Sequence, residues 1–153
     1  MPAGEGNCLF LSFAYVLWYA YSTRPFFTDK YLRRNLAACW LIIHTRGLVP
    51  ANLRSHVNAC LDENGIVAHV DNIKKDGSHL SLGQLDLVLL AYMANTDITI
   101  ETAQGPQAAT RATATTLLGL PLRAGELSNQ PPLRLRYLEN ALHYDAITGG
   151  DSG

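Results

Sequence analysis

The sequence predicts an α+β domain in which helices pack against a small, mostly antiparallel β-sheet. Segments with helical spacing of apolar residues fill roughly the first two-thirds of the 153-residue chain. Segments that alternate polar and apolar residues, as strands do, are confined to the last third. Helices and strands that are segregated along the chain are typical of the α+β class. The length suits one domain, which we place at residues 1–148, followed by a flexible tail at 149–153.

Four segments are predicted to form helices: 8–21, 29–46, 51–63 and 80–94. The first is apolar on every face, which predicts a helix that is buried all round and has only its first turn in solvent. Thr28 or Asp29 is a suitable N-cap for the second helix, and Gly47 is a suitable end. Asn95 and Thr96 are predicted to end the fourth helix.

Three segments are predicted to form strands: 97–102, 133–138 and 142–148. The last two read as an antiparallel hairpin joined by a tight turn. The segment 66–79 reads as a polar connection, and we assign no role to His69 within it. The segment 103–116 is rich in small polar residues, which predicts a loop or a mobile lid.

The composition limits the classes of function. A net charge of -1 gives no basic field that would hold a nucleic acid. Three cysteines (Cys8, Cys39 and Cys60) make no disulfide framework, which indicates a reducing compartment or free thiols. His56 and Cys60 have the spacing of half a metal site, but no second pair accompanies them, so we expect no metal or other cofactor. No apolar run is long enough to predict a membrane-spanning segment.

Cys8 is the first candidate for chemistry. It follows Gly-Glu-Gly-Asn and opens the apolar first helix. Unpaired backbone N–H groups and the positive end of the helix macrodipole favour a thiolate at such a position. Taken alone, an inert core cysteine is the simpler interpretation, because cysteine is among the most buried residue types.

His143 and Asp145 are the second candidates, at the opposite end of the chain. They stand two positions apart in a predicted strand, so they share one face of it. A carboxylate on one imidazole nitrogen fixes the tautomer, while the other nitrogen can pair with a thiol. Cys8, His143 and Asp145 therefore form a candidate Cys–His–Asp arrangement for acyl transfer. A His-x-Asp in a strand is by itself a weak signal, since most such pairs are surface pairs.

The two ends of the chain together resemble the ovarian tumour (OTU) family of cysteine deubiquitinases. The family typically has Asp-Gly-Asn-Cys before a helix, and this chain has Glu5-Gly6-Asn7-Cys8. The family closes with His-Tyr-Asp or His-Tyr-Asn in a late strand, and this chain has His143-Tyr144-Asp145. Residues 77–100 look like the family's glycine turn, leucine-rich helix and short strand. The resemblance implies a papain-like OTU fold, in a compact member like those of viral polyproteins or bacterial effectors.

The resemblance also implies a role for each residue. Cys8 would be the nucleophile, His143 the general base and then the acid, and Asp145 the group that orients His143. Backbone N–H groups of the loop Glu5–Cys8 would form the oxyanion hole, where Gly6 lets a donor approach without a side chain in the way. Glu5 departs from the family's aspartate by one methylene.

The implied partner is ubiquitin, as polyubiquitin chains, or a ubiquitin-like modifier, cut at the (iso)peptide bond after its C-terminal Gly-Gly. Two alternatives stay open: a papain-like viral polyprotein protease with the same chemistry, and a catalytically silent module that binds ubiquitin. The intact Cys8, His143 and Asp145 count against the silent module. We expect a monomer in the cytoplasm, or in the host cytosol for a viral protein or a secreted bacterial effector.

Overall fold

The computed structural model of the chain describes residues 8–20, 28–61, 65–75, 84–121, 132–138 and 143–147. Within these ranges the chain forms six α-helices, a short 3-10 turn and four β-strands. The helices are α1 (Cys8–Ala20), α2 (Asp29–Thr45), α3 (Arg54–Cys60), α4 (Gly65–Lys74), α5 (Gln84–Ala94) and α6 (Arg111–Leu118). The strands are β1 (Ile98–Thr102), β2 (Gly105–Ala109), β3 (Leu133–Leu138) and β4 (His143–Ile147).

The strands form one sheet in the order β2-β1-β3-β4. Strand β1 pairs antiparallel with β2 and parallel with β3, and β3 pairs antiparallel with β4. The antiparallel pairing predicted for the last two strands is therefore confirmed, with Tyr137 opposite Tyr144. Helices that pack against a small, mostly antiparallel sheet confirm the predicted α+β class.

A single apolar core joins the helices to the sheet. Its largest fully buried side chains include Trp40 of α2, Phe10 and Phe13 of α1, and Leu135 of β3. Helix α1 packs against β4 and β3, and more lightly against α2. Burying these side chains supplies the largest favourable term in folding, and it also fixes where the first turn of α1 lies.

The first helix differs from its prediction. Leu9 and Phe10, in the first turn, are buried, whereas Tyr15 is 41% exposed. An aromatic ring with a polar hydroxyl can lie at the surface with its hydroxyl in water, so an apolar sequence on every face does not require burial on every face. The helix buries the side that meets β4, β3 and α2.

Three segments of the chain form other elements than the sequence predicts. Residues 65–74, predicted as part of a polar connection, form α4, which buries Ile66, Val70 and Ile73 at helical spacing. The predicted helix over 51–63 divides into the 3-10 turn and α3. Segment 103–116, predicted as a loop or lid, forms β2 and most of α6, and it buries alanines rather than large side chains.

The predicted N-cap and end of α2 and the predicted end of α5 are confirmed. The Thr28 side chain accepts a hydrogen bond from the backbone N–H of Tyr31 and caps α2. Gly47, with φ +59°, follows α2, and Asn95, with φ +57°, follows α5. Both residue types tolerate this left-handed conformation, which favours a stop at these points. The predicted turn at 139–141 and tail at 149–153 lie outside the described residues.

Candidate active site

Cys8 is the first residue of α1, as the sequence predicts. The two residues after it, Leu9 and Phe10, are 3% and 0% exposed, so the first turn of the helix is anchored in the core. Only the backbone of Cys8 is described. Glu5, Gly6 and Asn7, the predicted oxyanion loop, lie outside the described residues.

His143 and Asp145 are the first and third residues of β4. In the register with β3 they lie opposite Leu138 and Arg136. Their side chains are outside what the structure describes, whereas that of Tyr144, the residue between them, is described. Tyr144 is 3% exposed, and its ring lies 4.9 Å from that of Tyr137, centroid to centroid. The middle of the His-Tyr-Asp segment is thus fixed by packing.

A buried hydrogen bond joins α1 to this segment. The Ser12 hydroxyl donates to the backbone carbonyl of Tyr144 over 2.7 Å, and Ser12 is 0% exposed. Tyr144 belongs to an edge strand whose outer side has no further strand in the described sheet. A buried carbonyl of this kind needs a donor, and Ser12 supplies it. The second turn of α1 and the middle of β4 are therefore held in direct contact.

Arg33 of α2 contacts the first turn of α1 through the Phe10 ring. Its guanidinium carbon lies 4.7 Å from the centre of the Phe10 ring, a cation–π contact. Its Nη1 donates to the carbonyls of Ile73, over 2.9 Å, and Lys75, over 3.0 Å, at the end of α4. Arg33 is only 3% exposed, so these buried contacts join α2 and α4 to the first turn of α1, the helix that Cys8 opens.

A second histidine–aspartate pair lies buried elsewhere, and the sequence prediction missed it. His69 Nε2 lies 2.8 Å and 3.0 Å from the two carboxylate oxygens of Asp86, and Trp40 Nε1 donates to Asp86 Oδ1 over 2.9 Å. The rings of Trp40 and His69 meet edge to face, 5.5 Å apart. The missed signal was Asp86 itself, because a lone carboxylate in an apolar helix needs buried partners.

Within the described ranges, no three His, Cys, Asp or Glu side chains come together as a metal-binding group. Of the pair His56 and Cys60, which has the spacing of half a metal site, the Cys60 side chain is outside the described part. None of the described helices combines the length and the apolar character that crossing a membrane requires.

Solved structures of other proteins share this fold. The OTU domain of OTUD1 matches with a TM-score of 0.58 and 17% identity, over 97% of this chain and 83% of its own. An OTU deubiquitinase from Wolbachia pipientis wMel matches with a TM-score of 0.57 and 12% identity, over 100% of this chain and 94% of its own. No protein-family model and no curated protein sequence matches this chain. The chain has the fold of an OTU domain, as its two end motifs predicted.

Proposed function

We propose that the chain is a thiol-dependent deubiquitinase in which Cys8 is the nucleophile, His143 the general base and acid, and Asp145 the orienting group. The OTU fold over the whole chain supports this, and one of the two similar structures is named as a deubiquitinase. Fold alone does not define chemistry, because one fold hosts many functions. The proposal therefore depends on where the fold brings the candidate residues.

The hydrogen bond from Ser12 to Tyr144 carries the proposal. Ser12 lies four residues after Cys8 in α1, and residues i and i+4 share a helix face. Position 8 is therefore on the helix face that meets β4, one turn of about 5.4 Å nearer the N-terminus. Tyr144 lies between His143 and Asp145, so this buried contact supports a position for Cys8 near those two residues.

Strand geometry supports the pairing of the other two residues. Positions 143 and 145 share one face of β4, opposite the face of the buried Tyr144. The helix start gives the thiol a positive environment, since four backbone N–H groups there have no partner within the helix. An activated thiolate and an oriented imidazole are the two groups that thiol acyl transfer needs.

The proposed reaction has two acyl-transfer steps. The Cys8 thiolate attacks the carbonyl carbon of the last glycine of the ubiquitin Gly-Gly, and the oxyanion takes hydrogen bonds from the backbone of Glu5–Cys8. The His143 imidazolium then gives its proton to the leaving amine, and a thioester remains. His143 next takes a proton from water, which attacks the thioester and releases the ubiquitin carboxylate and the thiol.

The proposal is tested with ubiquitin that carries a thiol-reactive warhead at its C-terminus. We expect intact-mass analysis to show a one-to-one covalent adduct with the parent chain and none with Cys8→Ala. Cys39→Ala is the matched control and should label as the parent does, because Cys39 lies partly buried in the middle of α2 and not at a helix start.

The alternatives give different results in the same experiment. A silent module would bind ubiquitin without forming the adduct, and a polyprotein protease would cut its own cleavage peptides without labelling by ubiquitin. A folded parent that forms no adduct overturns the proposal. The rates at which the same protein cleaves di-ubiquitins of each linkage then measure its linkage specificity.

A further inference from the structure

A basic groove of about 320 Å³ lies between the beginning of α2 and the end of α4. Of the residues that the structure describes, those lining the groove are all cationic: Lys30, Arg33, Arg34 and Lys74. The whole chain has 12 Lys and Arg against 13 Asp and Glu, so the groove is a local concentration of positive charge and not a consequence of composition. Like charges that lie close together repel each other, so such a cluster needs a structural or functional reason.

The fold explains only part of this charge. Lys74 is in the last turn of α4, where a cation complements the helix macrodipole. Lys30 is in the first turn of α2, where the macrodipole disfavours a cation. Lys30 and Arg34 are also spaced i and i+4, which places like charges side by side at a further cost. Both side chains are exposed and have no ion pair or hydrogen bond within the described ranges.

Arg33 makes the groove a rigid feature. Its guanidinium is buried and donates to two carbonyls at the end of α4, so it holds the two walls at a fixed separation. The same group lies over the Phe10 ring, two residues after Cys8. The groove is therefore formed before any ligand arrives, and it borders the first turn of the helix that Cys8 opens.

We propose that this groove is an exosite for an acidic polypeptide segment. Exposed lysine and arginine side chains from two helices suit several carboxylates of one extended segment. A groove of this size in a chain of net charge -1 offers no extended basic track for a nucleic-acid backbone. Assigning the segment to the protein that the chain cleaves rests on the proposed function, whereas the binding itself does not.

Binding is measured on the full chain with Cys8→Ala, so that it is independent of catalysis. Fluorescence anisotropy with a labelled hexaglutamate peptide in low salt should show saturable binding, and hexaglutamine should not bind. The double variant Lys30→Gln/Arg34→Gln should weaken binding about 3- to 10-fold, as expected for the loss of two exposed charge contacts. The control Arg46→Gln/Arg54→Gln removes two exposed cations outside the groove and should change affinity less than about 2-fold.

Three results would overturn the exosite. They are no binding of hexaglutamate, an equal loss in both double variants, and tighter binding of a labelled oligothymidylate than of hexaglutamate. The melting temperature of each variant checks that it is folded, and removing the unfavourable Lys30–Arg34 pair should not lower it.

The assignment to substrate is tested with ubiquitin fused at its C-terminus to a hexaglutamate or a hexaglutamine peptide. With the active chain, the acidic fusion should have a KM several-fold lower, and Lys30→Gln/Arg34→Gln should remove the difference. Equal KM values for the two fusions would contradict the assignment. Cleavage of neither fusion would contradict the proposed function and leave the measured hexaglutamate binding standing.

Discussion

Two histidine–aspartate combinations in this chain are built in opposite ways. His69 and Asp86 lie 17 positions apart on two helices and contact each other directly, and Trp40 on a third helix donates a hydrogen bond to the buried Asp86. His143 and Asp145 lie two positions apart in one edge strand, beside the helix that Cys8 opens. The first combination has a buried tryptophan as a further hydrogen-bond partner, whereas the second stands on the strand that packs against α1.

The contrast shows that residue types alone do not identify a catalytic pair. A buried carboxylate that is held by Trp40 and His69 links α2, α4 and α5, so we assign it a structural role. We propose that the second combination, on a strand next to the start of α1, acts on the substrate. Substitutions in the two combinations should therefore separate activity from stability.

The largest expected effect is the loss of activity in His143→Ala. Removing a general acid–base group should lower kcat by about 10³-fold. The measurement is turnover of ubiquitin with a fluorogenic amide at its C-terminus, with the melting temperature as the check on folding. His69→Ala is the matched control: it should lower the melting temperature and retain turnover at a temperature where it is folded. Activity that survives His143→Ala and disappears in folded His69→Ala would reverse the two roles.

The next effect is a loss of stability in Asp86→Ala. The change leaves the buried Trp40 N–H without its acceptor and removes the partner of His69, which should cost about 3 kcal/mol in the free energy of unfolding. Urea denaturation measures it. Asp71→Ala, an exposed carboxylate of α4, should change the free energy by less than about 0.5 kcal/mol. Equal stability of the two variants would show that the buried network contributes nothing.

Asp145→Ala should lower kcat by about 10²-fold with the fold retained, because the imidazole loses the group that fixes its tautomer. Asp145→Asn should recover part of the rate, since an amide oxygen can still orient the ring. Steady-state kinetics on the same fluorogenic substrate measure both variants. An unchanged rate in Asp145→Ala would transfer the orienting role to another residue, of which Glu5 is the first to test.

The smallest expected effect is that of Ser12→Ala. Losing the buried hydrogen bond to the Tyr144 carbonyl should cost about 1–2 kcal/mol in the free energy of unfolding. Turnover should also fall several-fold, because the bond sets the position of α1 against β4. Thr28→Ala removes the N-cap of α2, away from β4, at a similar cost of about 1 kcal/mol, and should leave turnover unchanged. Equal turnover in the two variants would contradict a positioning role for Ser12.

Local patterns made much of the fold predictable from the sequence. The apolar stripe of α2, the Thr28 cap and the alternation in β1, β3 and β4 act within a few residues, so they can be read directly. Segments β2 and α6 were missed because their buried residues are largely alanine, which gives little hydrophobic contrast. The parallel pairing of β1 with β3 depends on long-range packing that no local pattern encodes.

Local patterns likewise indicated some residues of the candidate site and not others. Cys8, His143 and Asp145 could be proposed because they stand in short motifs at the two ends of the chain, and their roles stay predictions. The roles of Ser12 and Arg33 were not predicted, since a serine and an arginine near apolar residues show their partners only in three dimensions. His69 and Asp86 were missed for the same reason, although a lone carboxylate in an apolar helix was a usable signal.

The central claim is that Cys8 is the thiol that attacks the ubiquitin C-terminus. The parent chain, with all three cysteines present, is labelled with the ubiquitin warhead, digested and mapped by tandem mass spectrometry. We expect the modification on the peptide that contains Cys8 and on no other cysteine. Modification of Cys39 or Cys60, or an unlabelled folded chain, would contradict the claim.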